Sequence, residues 1–321
     1  MRRWTILNKV SRKFLAVDVL LILGMALPIL TAIVLSVLFS PPTEGVEITG
    51  ALIYFTIPMP LQDFPITEAQ INSALVMISI FCLCLYMTHG LKENPQLKRQ
   101  HIAEMIVEKA EALVKDNMGP YFSGFTPFIA AIIALSAFSS LLSLFGLFPP
   151  TSDLNIVAGW AILVFGLITY YKFKCGPLNY LKSFAEPPAL APLNVISEVA
   201  TPVSMALRHY GNVLSGTVIG VLIATALQGV SHLALGWAPG FLADIPIFQV
   251  GIPAVLSIYF DVFSGLLQAY IFAMLTMLYV SGAFNIDLYM KLRAEKKLKK
   301  QNKLKENHKE NISENKALEE K

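Results

Sequence analysis

Two sets of polar residues recur at helical spacing inside otherwise apolar sequence. Ser197, Thr201, Ser204, Arg208, Asn212 and Ser215 follow one another in steps of 4, 3, 4, 4 and 3, which places them on one helix face. Ser257, Asp261, Ser264 and Gln268 repeat the pattern in steps of 4, 3 and 4. One stripe carries a guanidinium and the other a carboxylate. Arg208 lies about a turn and a half beyond Pro202, and its charge is permanent because a guanidinium keeps its proton in proteins. Such a cation marks an ion or anion pathway where it lies deep, and an interfacial anchor where it snorkels; the depth of Arg208 favours the pathway. Asp261 is the weaker signal, since a carboxylate in an apolar layer can stay protonated. Isolated Ser and Thr in such helices often bond only their own backbone or a neighbouring helix.

The elements that must hold these stripes are membrane spans. The chain has 321 residues, 55% of them hydrophobic and 15% charged, with a mean hydropathy of +0.59. Soluble domains carry about 25% charged residues, so an ordinary soluble fold is excluded. Six stretches are long enough to cross a bilayer: Val19–Phe39, Ala69–Leu91, Tyr121–Phe148, Asn155–Tyr171, Val199–Ala243 and Ile245–Ile286. The expected fold is an all-α polytopic membrane protein of about six transmembrane helices.

The basic residues set its orientation. Of 25 Lys and Arg, 5 lie in residues 1–13, 5 in 92–115, 3 in 172–182 and 11 in 291–321. The intervening links, such as 41–68 with Glu44, Glu47, Asp63 and Glu68, contain none. Lys and Arg gather in short cytoplasmic loops, which predicts that both termini are cytoplasmic. The remaining basic residue is Arg208. A basic start followed by an apolar run also describes a cleavable leader, but this run is longer than a usual leader core and no clean small-x-small site precedes Pro41, so a retained helix is expected.

The expected organisation is a basic amino terminus and first helix over 1–40, an outer loop over 41–68, a core over 69–290 and a charged, partly disordered tail over 291–321. Within the core, spans are expected at 69–91, 121–148 and 155–171, an amphipathic surface helix at 97–118, and long helices at 197–227 and 245–286. Cys82, Cys84 and Cys175 match no metal spacing and read as inert buried thiols. Gly216 and Gly220 form a small-x-x-x-small pair that lets another helix approach closely.

Three ordered motifs then carry a resemblance. Pro192-Leu193-Asn194, Glu198, Pro202 and Ala206-Leu207-Arg208-His209-Tyr210-Gly211-Asn212 resemble the signature of the membrane-embedded a subunit of bacterial F-type ATP synthases, in which an Arg precedes Leu-Phe-Gly-Asn. Leu267-Gln268-Ala269-Tyr270, followed by an apolar run to Ser281, is similar to that family's last helix, and Pro150-Thr151-Ser152-Asp153-Leu154-Asn155 to the start of an earlier one. The resemblance covers roughly residues 60–287.

It implies a non-catalytic stator subunit in the cell membrane, whose last two helices form a long tilted hairpin against a rotating ring of c subunits. It implies two offset half-channels for a proton or sodium ion, with Arg208 facing the ring carboxylates and preventing direct leakage. Asn212 and Gln268 match residues near that Arg, and Asp261, Asn155 and Asp153 match the outer pathway. Glu198 is a candidate for the inner one. Implied partners are the c-ring, the b subunits and the bilayer, with no nucleic acid and no cofactor; no Gly-rich phosphate loop of the Walker type is present.

The chain departs from the pattern in three places. His209 and Tyr210 stand where Leu and Phe are usual, which leaves a structural substitution and a relay both open. Thr217 stands where relatives often have an acid or His, so Asp261 is the main titratable group expected in the outer pathway. The first span is additional to the usual five. An independent secondary transporter, binding an anion at Arg208, is the rival reading; it would be expected to contain an internal repeat, and none is visible between the halves.

Overall fold

The computed structural model describes residues 2–39, 50–60, 63–90, 98–177, 180, 191–235, 251–252, 255–256, 258–295 and 297–301. Its main elements in order are α1 (Arg2–Phe39), a hairpin of β1 (Ile53–Ile57) and β2 (Phe64–Thr67), α2 (Glu68–Thr88), α3 (Lys98–Met118), α4 (Thr126–Leu141), α5 (Leu154–Lys174), α6 (Ala191–Leu235) and α7 (Gly265–Gly282). A π-helical segment, Ile258–Ser264, runs into α7. The fold is all-α apart from the hairpin, whose antiparallel strands were expected only as loop; Phe55 pairs with Ile66 and a bulge lies between Ile53 and Phe55.

Six of these helical stretches are long and apolar enough to cross a membrane: Phe14–Phe39, Glu68–Thr88, Pro120–Phe145, Leu154–Lys174, Ala191–Ser231 and Ile258–Gly282. Burial is inverted relative to a soluble protein. Leu20 is 68% exposed, Val37 74% and Ile162 66%, whereas Ser136, Ser139, His209 and Thr276 are fully buried. That is the pattern a hydrocarbon solvent selects, because polar groups must find partners inside and apolar side chains need not. The fifth span begins earlier than expected: α6 extends through Pro202 without interruption from Ala191. The link after it, through residue 250, lies outside the described residues, as do Ser257 and the tail beyond residue 301.

The chain divides into two compact units. The first comprises Met1–Ala161 with Val203–Met277, the second Ile162–Pro202 with Leu278–Lys321. In the first, α1 packs along α2: Ser79 Oγ donates to the Met25 carbonyl at 3.1 Å, and a Cβ on Gly24 would lie 2.9 Å from Cys82 Sγ. Ala32, Val76, Leu142 and Leu147 form a small apolar core. Asn72 closes it by donating from Nδ2 to the Phe148 carbonyl at 2.9 Å.

The basic end of α1 is held by charge. Asp18 accepts from Arg99 at 2.9 Å, and His89 Nδ1 lies 2.9 Å from the other carboxylate oxygen. Arg99 also donates to the His89 carbonyl and stacks over Tyr86 and Phe14. Burial works against its charged form, but the hydrogen bonds to Asp18 and Tyr86 outweigh that and hold its pKa above the usual value. In α3, Gln100, Val114 and Met118 are buried while Ile102, Met105 and Ile106 are exposed, so one apolar face has no cover within the described residues. Of the cysteines, Cys175 is buried, Cys82 half-buried and Cys84 exposed; the expectation of buried thiols does not hold for Cys84, which looks outward from α2.

Candidate functional site

Arg208 is exposed on α6, and no hydrogen bond or ion pair to it occurs among the described residues. Its neighbour His209, about 100° around the helix, is fully buried. The imidazole Nε2 lies 3.3 Å from Ser136 Oγ on α4, and the rings of Trp160 and Phe272 meet it edge-on at 6.0 and 5.7 Å. Ala206 joins Val157 and Ala161 in an apolar cluster alongside. His209 therefore takes the inward position of α6 and leaves Arg208 outward. The second ring nitrogen, Nδ1, has no hydrogen-bond partner among the described residues, which leaves the structural reading of this residue better supplied with contacts than the relay.

One turn on, Asn212 bridges to the π segment. Its Nδ2 donates to Ser264 Oγ at 2.7 Å, and that hydroxyl lies 3.0 Å from Asn212 Oδ1. π segments inside α-helices are frequent at functional sites. Here the segment contains Asp261 and ends at Ser264. Asp261, Asn212, Ser140 and Ser143 together line a small cavity of about 10 Å³, close to the least that holds one water. Two glycines let the helices close around it. A Cβ on Gly216 would lie 3.1 Å from Phe260, and one on Gly265 would lie 2.7 Å from Ser140 Cβ. Gly216 thus makes the expected close approach, whereas Gly220 and Gly211 face open space.

The serines of α4 and of the turn that follows it were missed by the sequence reading. Ser136, Ser139, Ser140 and Ser143 repeat at steps of 3, 1 and 3, so the periodicity that picked out α6 was available there too. Ser139 and Ser140 are buried, and neither hydroxyl has a partner among the described residues.

The other expected residues fall as follows. Gln268 is buried on α7, and no hydrogen bond joins it to Arg208. Thr217 is exposed and donates to the Val213 carbonyl of its own helix at 3.1 Å. Asp153 Oδ1 accepts the Asn155 backbone N–H at 2.9 Å, capping the start of α5, while Asn155 itself is exposed.

In the second unit, Glu198 is half-buried and grips a cation the sequence reading did not pair with it. Lys172 Nζ lies 2.7 Å from one carboxylate oxygen and 2.6 Å from the other. Tyr180 donates to Glu198 Oε1 at 3.2 Å, and its ring lies under the Lys172 ammonium. Burial first, and then the Glu198 charge, push the Tyr180 phenol pKa up. Lys172 and Glu198 border a cavity of about 210 Å³ that Thr201 and Tyr279 also line. The separation of 26 positions between Lys172 and Glu198 concealed the pair.

Spans covered in apolar residues, with polar cavities between them and an outward guanidinium within one helix, define a multi-pass membrane protein with a polar interior. Residues 71–281 match the family described as ATP synthase A chain. The chain is 29% identical over 219 residues to ATP synthase subunit a 1 of Crocosphaera subtropica, covering 67% of this chain and 86% of that one. It is 28% identical over 225 residues to ATP synthase subunit a of Moorella thermoacetica, covering 69% and 93%. It is 26% identical over 276 residues to the subunit of Propionigenium modestum named as sodium ion specific, covering 76% and 88%. This chain belongs to the ATP synthase A chain family. It is thus an ion-translocating subunit of the membrane sector of a rotary ATP synthase, and catalysis lies in another sector of that complex.

Proposed function

We propose that this chain carries the coupling ion through two half-channels and that Arg208 faces the carboxylates of a rotating c-ring. The observation that carries this reading is an outward Arg208 with no partner among the described residues, beside an anchored His209. A bare guanidinium in an apolar layer is costly unless an anion visits it. A passing carboxylate supplies that anion: the fixed charge stabilises its ionised form and repels a cation that would otherwise slip between the half-channels. An ion must then travel with the ring to cross, and its passage turns the rotor.

The outer half-channel runs past Asp153 and Asn155 to the small cavity of Asp261, Asn212, Ser140 and Ser143, with Gln268 and Thr217 on the adjoining helices. The inner one opens at the Glu198 cavity. The b subunits complete the stator, the membrane is the cell membrane, and both termini are cytoplasmic, a placement that the clustering of 24 of the 25 Lys and Arg supports. The coupling ion is a proton or sodium.

Arg208→Ala in the assembled enzyme tests the reading. Ion-driven ATP synthesis in inverted vesicles is expected to be lost, while the detached catalytic sector still hydrolyses ATP. Preserved coupling would overturn it.

A further inference from the structure

The Glu198 cavity is lined by a salt bridge that neither stripe of polar residues accounts for. Lys172 Nζ touches both carboxylate oxygens, at 2.7 and 2.6 Å, and the Tyr180 hydroxyl occupies Oε1 from another side at 3.2 Å. Three donor contacts on two oxygens leave little of the carboxylate open to the cavity of about 210 Å³ that it lines. Lys172 and Glu198 are 26% and 17% exposed as side chains, so the pair sits at the mouth rather than deep inside. The other titratable group on the wall is Tyr279, and Lys174, two residues on, stacks on Tyr170 and Tyr171 instead.

We propose that Lys172 is a gate: its ammonium caps Glu198 and closes the cavity, and its withdrawal opens the carboxylate to the ion. This rests on the inner half-channel reading above and adds to it the residue that controls access. The chemistry suits a lysine. Its four-carbon stem carries a compact charge that can snorkel to the membrane surface, whereas a shorter or stiffer cation would stay in place. Closed, the pair is neutral and offers an arriving cation nothing. Open, the carboxylate is an uncompensated anion beside water, which draws a proton or sodium ion in and later releases it to water, leaving Glu198 unchanged. Lys172 is a positioning residue here, since it acts through Glu198 and not on the ion.

Thr201 lines the same cavity and reports on it. In inverted vesicles holding the whole complex, with Cys82, Cys84 and Cys175 replaced, Thr201→Cys is labelled with two membrane-impermeant thiosulfonates, one cationic and one anionic. With Lys172 present, and equally with Lys172→Arg, labelling is expected to be slow. Lys172→Met is expected to accelerate both reagents about tenfold, which corresponds to about 1.4 kcal/mol of lost closure. Glu198→Gln removes the anchor from the other side and is expected to do the same, so the test survives failure of either variant to assemble. Rates unchanged by both variants would overturn the gate, and so would acceleration of the cationic reagent alone, which is a charge effect without opening. The two readings fail separately: coupling retained in Arg208→Ala overturns the translocation reading whatever the labelling rates, while unchanged rates with coupling lost in Arg208→Ala overturn only the gate.

Discussion

Asn212 on α6 and Ser264 at the end of the π segment face each other at 2.7 and 3.0 Å, a reciprocal contact between residues 52 apart in sequence. It ties the helix that carries Arg208 to the segment that carries Asp261. Neither helix gains much from the hydrophobic effect, because lipid is as apolar as the helix faces themselves. Such polar contacts and close backbone approaches are what set the register of the two helices.

Removing either partner should therefore loosen that register. Ser264→Ala and Asn212→Ala are expected to lower the thermal stability of the purified complex. Their double-mutant cycle should give a coupling energy of about 0.6 kcal/mol, and up to about 1.7, the range found for hydrogen bonds between membrane helices. Additive single effects would mean that the contact contributes nothing.

Gly265 allows α7 and α4 to meet, since a Cβ there would lie 2.7 Å from Ser140 Cβ. Gly265→Ala is expected to cost about 1–3 kcal/mol through overpacking and to reduce ion pumping. Ser140→Gly should restore much of the loss in the double variant, whereas Ser140→Ala should not, because it keeps the clashing carbon. Pumping by vesicles of all three variants checks the order.

Asp261 lines the cavity beside Asn212, while Thr217 is exposed and spends its hydroxyl on its own helix. Asp261→Asn is accordingly expected to slow ATP-driven pumping severalfold, and Thr217→Ala to leave it near the unaltered rate. Equal rates for the two variants in inverted vesicles would contradict the assignment of Asp261 to the ion path.

The clamp on α1 offers a test away from the site. Arg99 combines an ion pair with Asp18, a bond to the His89 carbonyl and stacking on Tyr86 and Phe14. Arg99→Met is expected to destabilise the protein by about 1.5–3 kcal/mol, the usual worth of hydrogen bonds to charged groups. Arg99→Lys should recover only part, because an ammonium keeps the charge but loses the planar fork and the stacking. Thermal unfolding in detergent distinguishes the three.

Much of the fold was legible because the signals for it are local. A span is a matter of consecutive apolar residues, and the all-α character follows because an isolated stretch in lipid must satisfy its own backbone. The two polar stripes were legible for the same reason, and Arg208 stood out as the one basic residue away from every cluster. The hairpin at Ile53–Thr67 was not read, since Pro65 and the two prolines before it obscure the strand pattern.

The stripes, however, did not say which of their members turn outward and which pair. By itself the sequence determined the apolar spans, the clustering of the Lys and Arg between them and the residue types that stand on the two polar stripes. Only the tertiary structure decided that His209 is buried against Ser136 while Arg208 is exposed, that Ser140 and Ser143 line the Asp261 cavity, and that Lys172 holds Glu198. Helical periodicity is a property of one segment, but a hydrogen bond or ion pair between segments depends on how two helices are rotated and offset, and in lipid that is set by the contacts themselves.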